Sequence, residues 1–283
     1  MIRTWAGLAT VAILAINLSC SKGTQEAGTT GEKDEAKSAG AAYQPTGNEG
    51  TVTGKVTFAG QAPKYKPISM DADSVCAAKH SGAVYPDAVV VNSNGTLRNV
   101  FVYVKSGLEG KTFPAPQSDV ELDQDGCIYK PHVLGIMAGQ NLKVVSSDAT
   151  THNIHPMPKV NREWNVSQAP GADPIVRNFS RAEASIPVKC NQHPWMRAYI
   201  HVMSSPYFAV SGADGSFTIA GLPPGDYELE AVQEEYGATI QKVTVGPKES
   251  KSVDFAFRAG QAYRPSSLTI MPAIMLGCCG GAN

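Results

Sequence analysis

The run Cys190-Asn191-Gln192-His193-Pro194-Trp195-Met196 sets a thiol, an imidazole and a thioether close together, spaced C-x2-H-x2-M. A second imidazole stands upstream in Thr151-His152-Asn153. A thiolate, imidazole nitrogens and a weak axial thioether form the donor set of a blue-copper electron-transfer centre. A binuclear purple centre needs two cysteines in this loop, and only Cys190 is present. Zinc accepts Cys and His but has little use for a thioether. The count therefore points to one type-1 copper on His152, Cys190, His193 and Met196, a site with no open position for a substrate. The plainer reading is core filler, since free Cys and Met pack well in apolar interiors. Against it stands Arg197-Ala198-Tyr199-Ile200-His201-Val202, which alternates like a strand directly after the loop. Three donors on a short loop entering a strand read as a chelating hairpin.

The other histidines read as structural or exposed. His132 follows Tyr129-Lys130-Pro131, His201 lies on the strand leaving the loop, and His80 sits in a loop-like stretch. His155 is three positions past His152, so an extended strand turns it to the opposite face. The elements that must position the donors are strands. The 283 residues allow one or two domains. With 42% apolar and 17% charged residues the chain can bury a sizeable core. Gly 27 and Pro 19, with few helix-like runs, favour an all-β fold. A net charge of -1 argues against a nucleic-acid partner. Residues 51–58 alternate as a strand closed by Ala59-Gly60, and residues 87–91 and 99–104 read as two more.

The segment Lys189 to Arg197 resembles the ligand loop of cupredoxins, with the C-x2-H-x2-M spacing of amicyanin-type proteins. Tyr129-Lys130-Pro131 followed by Ala138-Gly139-Gln140 is similar to the opening of that family. Ser147-Asp148-Ala149-Thr150-Thr151-His152-Asn153 is similar to the segment that supplies its first histidine. The resemblance covers roughly residues 119 to 203 and implies a Greek-key β-sandwich with copper on His152, Cys190, His193 and Met196. It further implies that Asn153 ties the two ligand loops together. The imidazole edge of His193, with Pro194 and Trp195, is then an apolar patch for docking and electron exit.

Asp214-Gly215-Ser216-Phe217-Thr218-Ile219 and Leu222-Pro223-Pro224-Gly225-Asp226-Tyr227 resemble the carboxypeptidase-regulatory, transthyretin-like β-sandwich. That small domain opens with a G-x-V-x-G-x-V strand and a short apolar strand, matched here by residues 51–58 and 99–104. The division that results is 50–118 and 206–258 for the two parts of the transthyretin-like sandwich, with 119–205 as the cupredoxin between them. Two consecutive domains, with 50–118 as an extension of the cupredoxin, is the other arrangement.

Residues 1–20 read as a targeting segment: Arg3, an apolar stretch from Ala6 to Ile16, and then Leu18-Ser19-Cys20. That ending resembles a bacterial lipobox, which makes Cys20 a lipidated N-terminus and the protein an exported, lipid-anchored one on the periplasmic side of a membrane or at the cell surface. Residues 21–49 have hardly an apolar side chain before Tyr43 and read as a flexible linker. Its length gives a coil of roughly 30 Å. Residues 259–283 read as a tail carrying Cys278-Cys279. Cys76 and Cys127 are a candidate disulfide in an oxidising compartment, although sequence does not fix connectivity.

Two functions follow. One is a membrane-tethered electron carrier between redox protein partners. The other is copper binding and delivery, or a partner-binding surface, without electron transfer. There is no Ser-His-Asp arrangement and no H-E-x-x-H motif, so the chain reads as a non-enzyme.

Overall fold

Alternation decides the first long strand. β1 (Gly50–Ala59) buries Val52, Val56 and Phe58 on one face and turns Lys55 and Thr57 outward. The computed structural model describes residues 41–266 and 268. The targeting segment, Cys20 and Cys278-Cys279 lie outside these residues.

After β1 comes β2 (Phe101–Ser106). Leaving aside two-residue strands, eight follow it: β3 (Val120–Gln124), β4 (Val133–Met137), β5 (Asn141–Ser146), β6 (His152–Pro156), β7 (Val166–Gln168), β8 (Ile175–Asn178), β9 (Glu183–Lys189) and β10 (Arg197–Met203). The last are β11 (Phe208–Val210), β12 (Ser216–Leu222), β13 (Gly225–Gln233), β14 (Gly237–Val245), β15 (Ser250–Ser252) and β16 (Phe255–Arg258). The protein is all-β, as composition predicts. One pair of sheets has the orders β11-β2-β13-β14 and β12-β1-β15, with β16 also on β1. The other pair has the orders β8-β5-β3, continued by Tyr129–Lys130, and β7-β6-β9-β10-β4. Strands from residues 120–203 alone build this second sandwich, and its five-stranded sheet mixes antiparallel pairs with the parallel pair β10–β4.

Each sandwich has its own core, and a third cluster joins them. Two strands make the joint because side chains alternate across a strand. On β2, Val102 and Val104 enter the first core while Phe101 and Tyr103 enter the joint. On β10, Ala198, Ile200 and Val202 enter the second core, while Met203 and the half-buried Tyr199 turn to the joint. Both strands are buried on two faces, which explains the unbroken apolar run Phe101-Val102-Tyr103-Val104. Phe101 is fully buried, and removing such a side chain from water is worth about 1.5–3 kcal/mol. Its ring stacks on His201, with centroids 4.0 Å apart and planes at 13°. Gly135 on β4 lies against the same cluster, where a Cβ would sit 2.5 Å from Phe208 and 2.6 Å from Phe101.

Two stretches that composition assigns to linker and tail are packed. Ala41–Ala42 pair with Lys111–Thr112, and the Tyr43 ring lies 5.7 Å from that of Phe113. Residues 41–49 thus belong to the folded part, because Tyr43 finds an apolar partner. At the other end, the Ala238 N–H donates to the Arg264 carbonyl at 2.7 Å, and the Ser266 hydroxyl donates to the buried Glu230 at 2.7 Å. Gly237 has φ +74, and a Cβ there would meet that Arg264 carbonyl at 2.1 Å. Among the described residues, no helix is long and apolar enough to cross a membrane.

Candidate metal centre

The hairpin β9–β10 carries the ligand loop. Its neck is closed by the Cys190 N–H on the Met196 carbonyl at 3.3 Å, and a turn inside it by the Met196 N–H on the His193 carbonyl at 2.9 Å. The His193 N–H donates to Cys190 Sγ at 3.4 Å, so backbone alone turns the thiol and the imidazole toward each other. His152 opens β6, which pairs with β9 through His155–Lys189 and Pro156–Val188 and so lies beside the loop.

Three donors meet. One atom each from His152, Cys190 and His193 lies within 4.8 Å of the other two. Nδ1 of His152 is 2.9 Å from Nδ1 of His193, and Cys190 Sγ is 3.7 Å from the latter. All three side chains are buried, His193 at 5% exposure, and Cys190 is the free cysteine among the described residues. Met196 is fully buried in the same core cluster as Cys190. Asn153 links the loops: its Oδ1 accepts from the Asn191 N–H at 2.6 Å and from the Cys190 thiol at 3.3 Å. Its own amide donates to Asn165 at 2.7 Å.

The far side of each imidazole meets a carboxylate. Nε2 of His152 is 2.9 Å from Asp148 Oδ2, and Nε2 of His193 is 3.1 Å from Asp73 Oδ2. Burial acts to raise the Asp148 carboxyl, but the Cys127 N–H, the Lys79 ammonium, the Gly126 N–H and His152 together hold it below the usual carboxylate range. Thr150 is the main cause that lowers Asp73, to about 2, with burial opposing and His193 assisting. Both are therefore carboxylates at neutral pH, and a carboxylate only accepts. In each ring Nε2 is therefore the donor, and in the neutral form of each ring Nδ1 is left with a bare lone pair. Burial, followed by Asp148 acting in the opposite sense and then by the neighbouring His193, keeps His152 below the ordinary histidine range. Two bare lone pairs 2.9 Å apart in a dry pocket repel unless a cation, a proton or a metal ion, lies between them. Two imidazoles sharing one ion at about 2 Å each span such a distance. The donor set fits a metal ion.

The remaining residues fall into place around these. His155 faces away, with Nε2 2.6 Å from Glu163 and Nδ1 3.3 Å from Asn191. His132 has an acceptor at each nitrogen, Glu234 at 2.5 Å and the Arg197 carbonyl at 3.1 Å. Burial pulls this imidazole down, but Glu234 outweighs it and the net shift is upward. Among the described residues His201 has no charged partner, and it accepts from the Ser185 N–H at 3.3 Å. Burial pushes it down to about 3. Cys76 and Cys127 form a disulfide with Cα atoms 5.5 Å apart.

The expected docking patch is different. The His193 edge is covered by the short helix α1 (Ser74–Ala78) and its N-cap Asp73. Cys76, on that helix, places its sulfur 3.6 Å from Nε2 of His193. Pro194 is exposed, but Trp195 is half-buried and donates from Nε1 to the Cys127 carbonyl at 3.0 Å. A polar partner on Nε2 has replaced an apolar rim, because residues upstream of the second sandwich fold back over it. Sequence reasoning assigned no role to Asp148 or Asp73. Asp148 stands four residues before His152 and could have been found by that spacing. Asp73 carries no such signal.

The carboxypeptidase regulatory-like domain model matches residues 191–258, beginning one residue past Cys190. No curated protein matches the chain. Among solved structures, a Cu-containing nitrite reductase (NirK) from Thermus scotoductus SA-01 aligns at 17% identity and a TM-score of 0.29, covering 31% of this chain and 23% of that one. The chain thus spans less than a quarter of that reductase. A novel purple cupredoxin from Nitrosopumilus maritimus aligns at 21% identity and a TM-score of 0.26, covering 30% of this chain and 100% of that one. An oxidized amicyanin mutant aligns at 18% identity and a TM-score of 0.28, covering 36% and 98%.

Proposed function

We propose that the protein is a single-copper electron carrier, with His152, Cys190 and His193 holding the ion and Met196 as the weak fourth donor. The supporting observation is the pair of Nδ1 atoms 2.9 Å apart beside a buried free thiol, with both outer nitrogens engaged by carboxylates. Copper held there supplies a one-electron Cu(II)/Cu(I) couple. Asp148 and Asp73 fix the tautomers, as carboxylates behind ligating histidines do. Asn153 holds the Cys190 loop against the first ligand loop through the Asn191 N–H, and the joined cores keep the loops from spreading. Burial of all the donors excludes water, so the set needs little rearrangement when charge changes. The same closure speaks against metal delivery, which needs an opening.

The lipobox-like Leu18-Ser19-Cys20 supports export and a lipid anchor. The carrier reading is tested by voltammetry of the copper-loaded protein. A reversible one-electron couple is expected. Tightly bound copper that cycles irreversibly or not at all would overturn electron transfer.

A further inference from the structure

We infer that Asp73 is the positioning residue for His193, supplied from outside the metal-bearing sandwich, and that it keeps the imidazole turned with Nδ1 toward Cys190. This deepens the copper reading above and rests on it. The two oxygens of Asp73 divide the work. Oδ1 accepts the N–H groups of Val75 at 2.8 Å and Cys76 at 3.2 Å, which caps α1. Oδ2 meets Nε2 of His193 at 3.1 Å and accepts from the Thr150 hydroxyl at 2.8 Å. Thr150 is two residues before His152, so one oxygen joins the segments that carry both histidines.

The helix that presents Asp73 is itself fixed. Cys76 on α1 is bonded to Cys127, whose N–H donates to Asp148 at 2.7 Å, and Asp148 in turn holds His152. The disulfide therefore lies between the two carboxylate supports and couples their positions. Apart from Asp73, the neighbour of His193 Nε2 is the Cys76 sulfur at 3.6 Å, a weak acceptor. Without Asp73 nothing comparable selects the Nε2–H tautomer, and the ring is free to place a hydrogen at Nδ1, where the ligand lone pair is needed.

Two variants separate this role from helix capping. Asp73→Ser keeps a good cap and removes the carboxylate. Asp73→Asn has one oxygen, so it caps α1 only by turning its amide N–H groups toward Nε2 of His193. The first readout is nitrogen NMR of the His193 ring in the metal-free protein. The parent is expected to keep a hydrogen at Nε2, and both variants are expected to gain a form with Nδ1–H and no hydrogen at Nε2. The second readout is copper(II) affinity by competition with a chelator, expected to fall by about 10–100-fold in each variant. Parental tautomer and parental affinity in a folded variant would overturn the inference. If Asp73→Ser fails to fold, Asp73→Asn decides by the same criteria. If the parent binds no copper, the proposed function fails, while the NMR readout still decides the role of Asp73.

Discussion

Buried histidines occur in two regions of this molecule, and their surroundings differ. At the loop end of the second sandwich, His152 and His193 each have an ionised carboxylate on Nε2, and their Nδ1 atoms meet each other beside a thiol. At the joint between sandwiches, His201 is equally buried, yet it lies flat on Phe101 and has no charged partner. Burial alone makes an imidazole an apolar plate with one polar edge. Convergence of oriented lone pairs makes it a ligand.

The largest effect that could break this contrast comes from Asp148. Asp148→Asn is expected to lower copper(II) affinity by about 10–100-fold, measured by chelator competition. His201→Asn, which keeps an acceptor for the Ser185 N–H, is expected to leave affinity at the parental value. Equal losses in both would mean that the contrast is one of general packing.

A smaller effect sharpens the other side. His201 titrates near about 6.5 when unfolded and is pushed down to about 3 in the fold. A depressed value means that the unfolded chain takes up the proton first. The stability it contributes is present above about pH 6.5 and is lost as pH falls toward the folded value. Between pH 6.5 and 5 that loss is about 1–2 kcal/mol. In urea unfolding at those two pH values, His201→Asn should lose less stability than the parent by about that amount. An unchanged difference would place the proton elsewhere.

Much of this was legible because it depends on short spacing. C-x2-H-x2-M in Cys190 to Met196 is a turn's worth of chain, and one atom each of Cys190, His193 and His152 lies within 4.8 Å of the others. Alternation at Val52, Val56 and Phe58 reads directly as a buried face. Asp73 was not legible, because its partner lies 120 positions away and no local pattern distinguishes Asp73 from Asp71. The same folding-back removed the apolar rim expected around His193. Residues 41–49 look like linker by composition, but Tyr43 meets Phe113, a contact that composition does not record.

The most direct measurement is the visible and EPR spectrum of the protein and of Cys190→Ala, each after one equivalent of copper(II). The parent should show an intense thiolate-to-copper band and narrow copper hyperfine splitting, and Cys190→Ala should show neither. An intense band that survives in Cys190→Ala, or a colourless parent with copper bound, would contradict the assignment of this site.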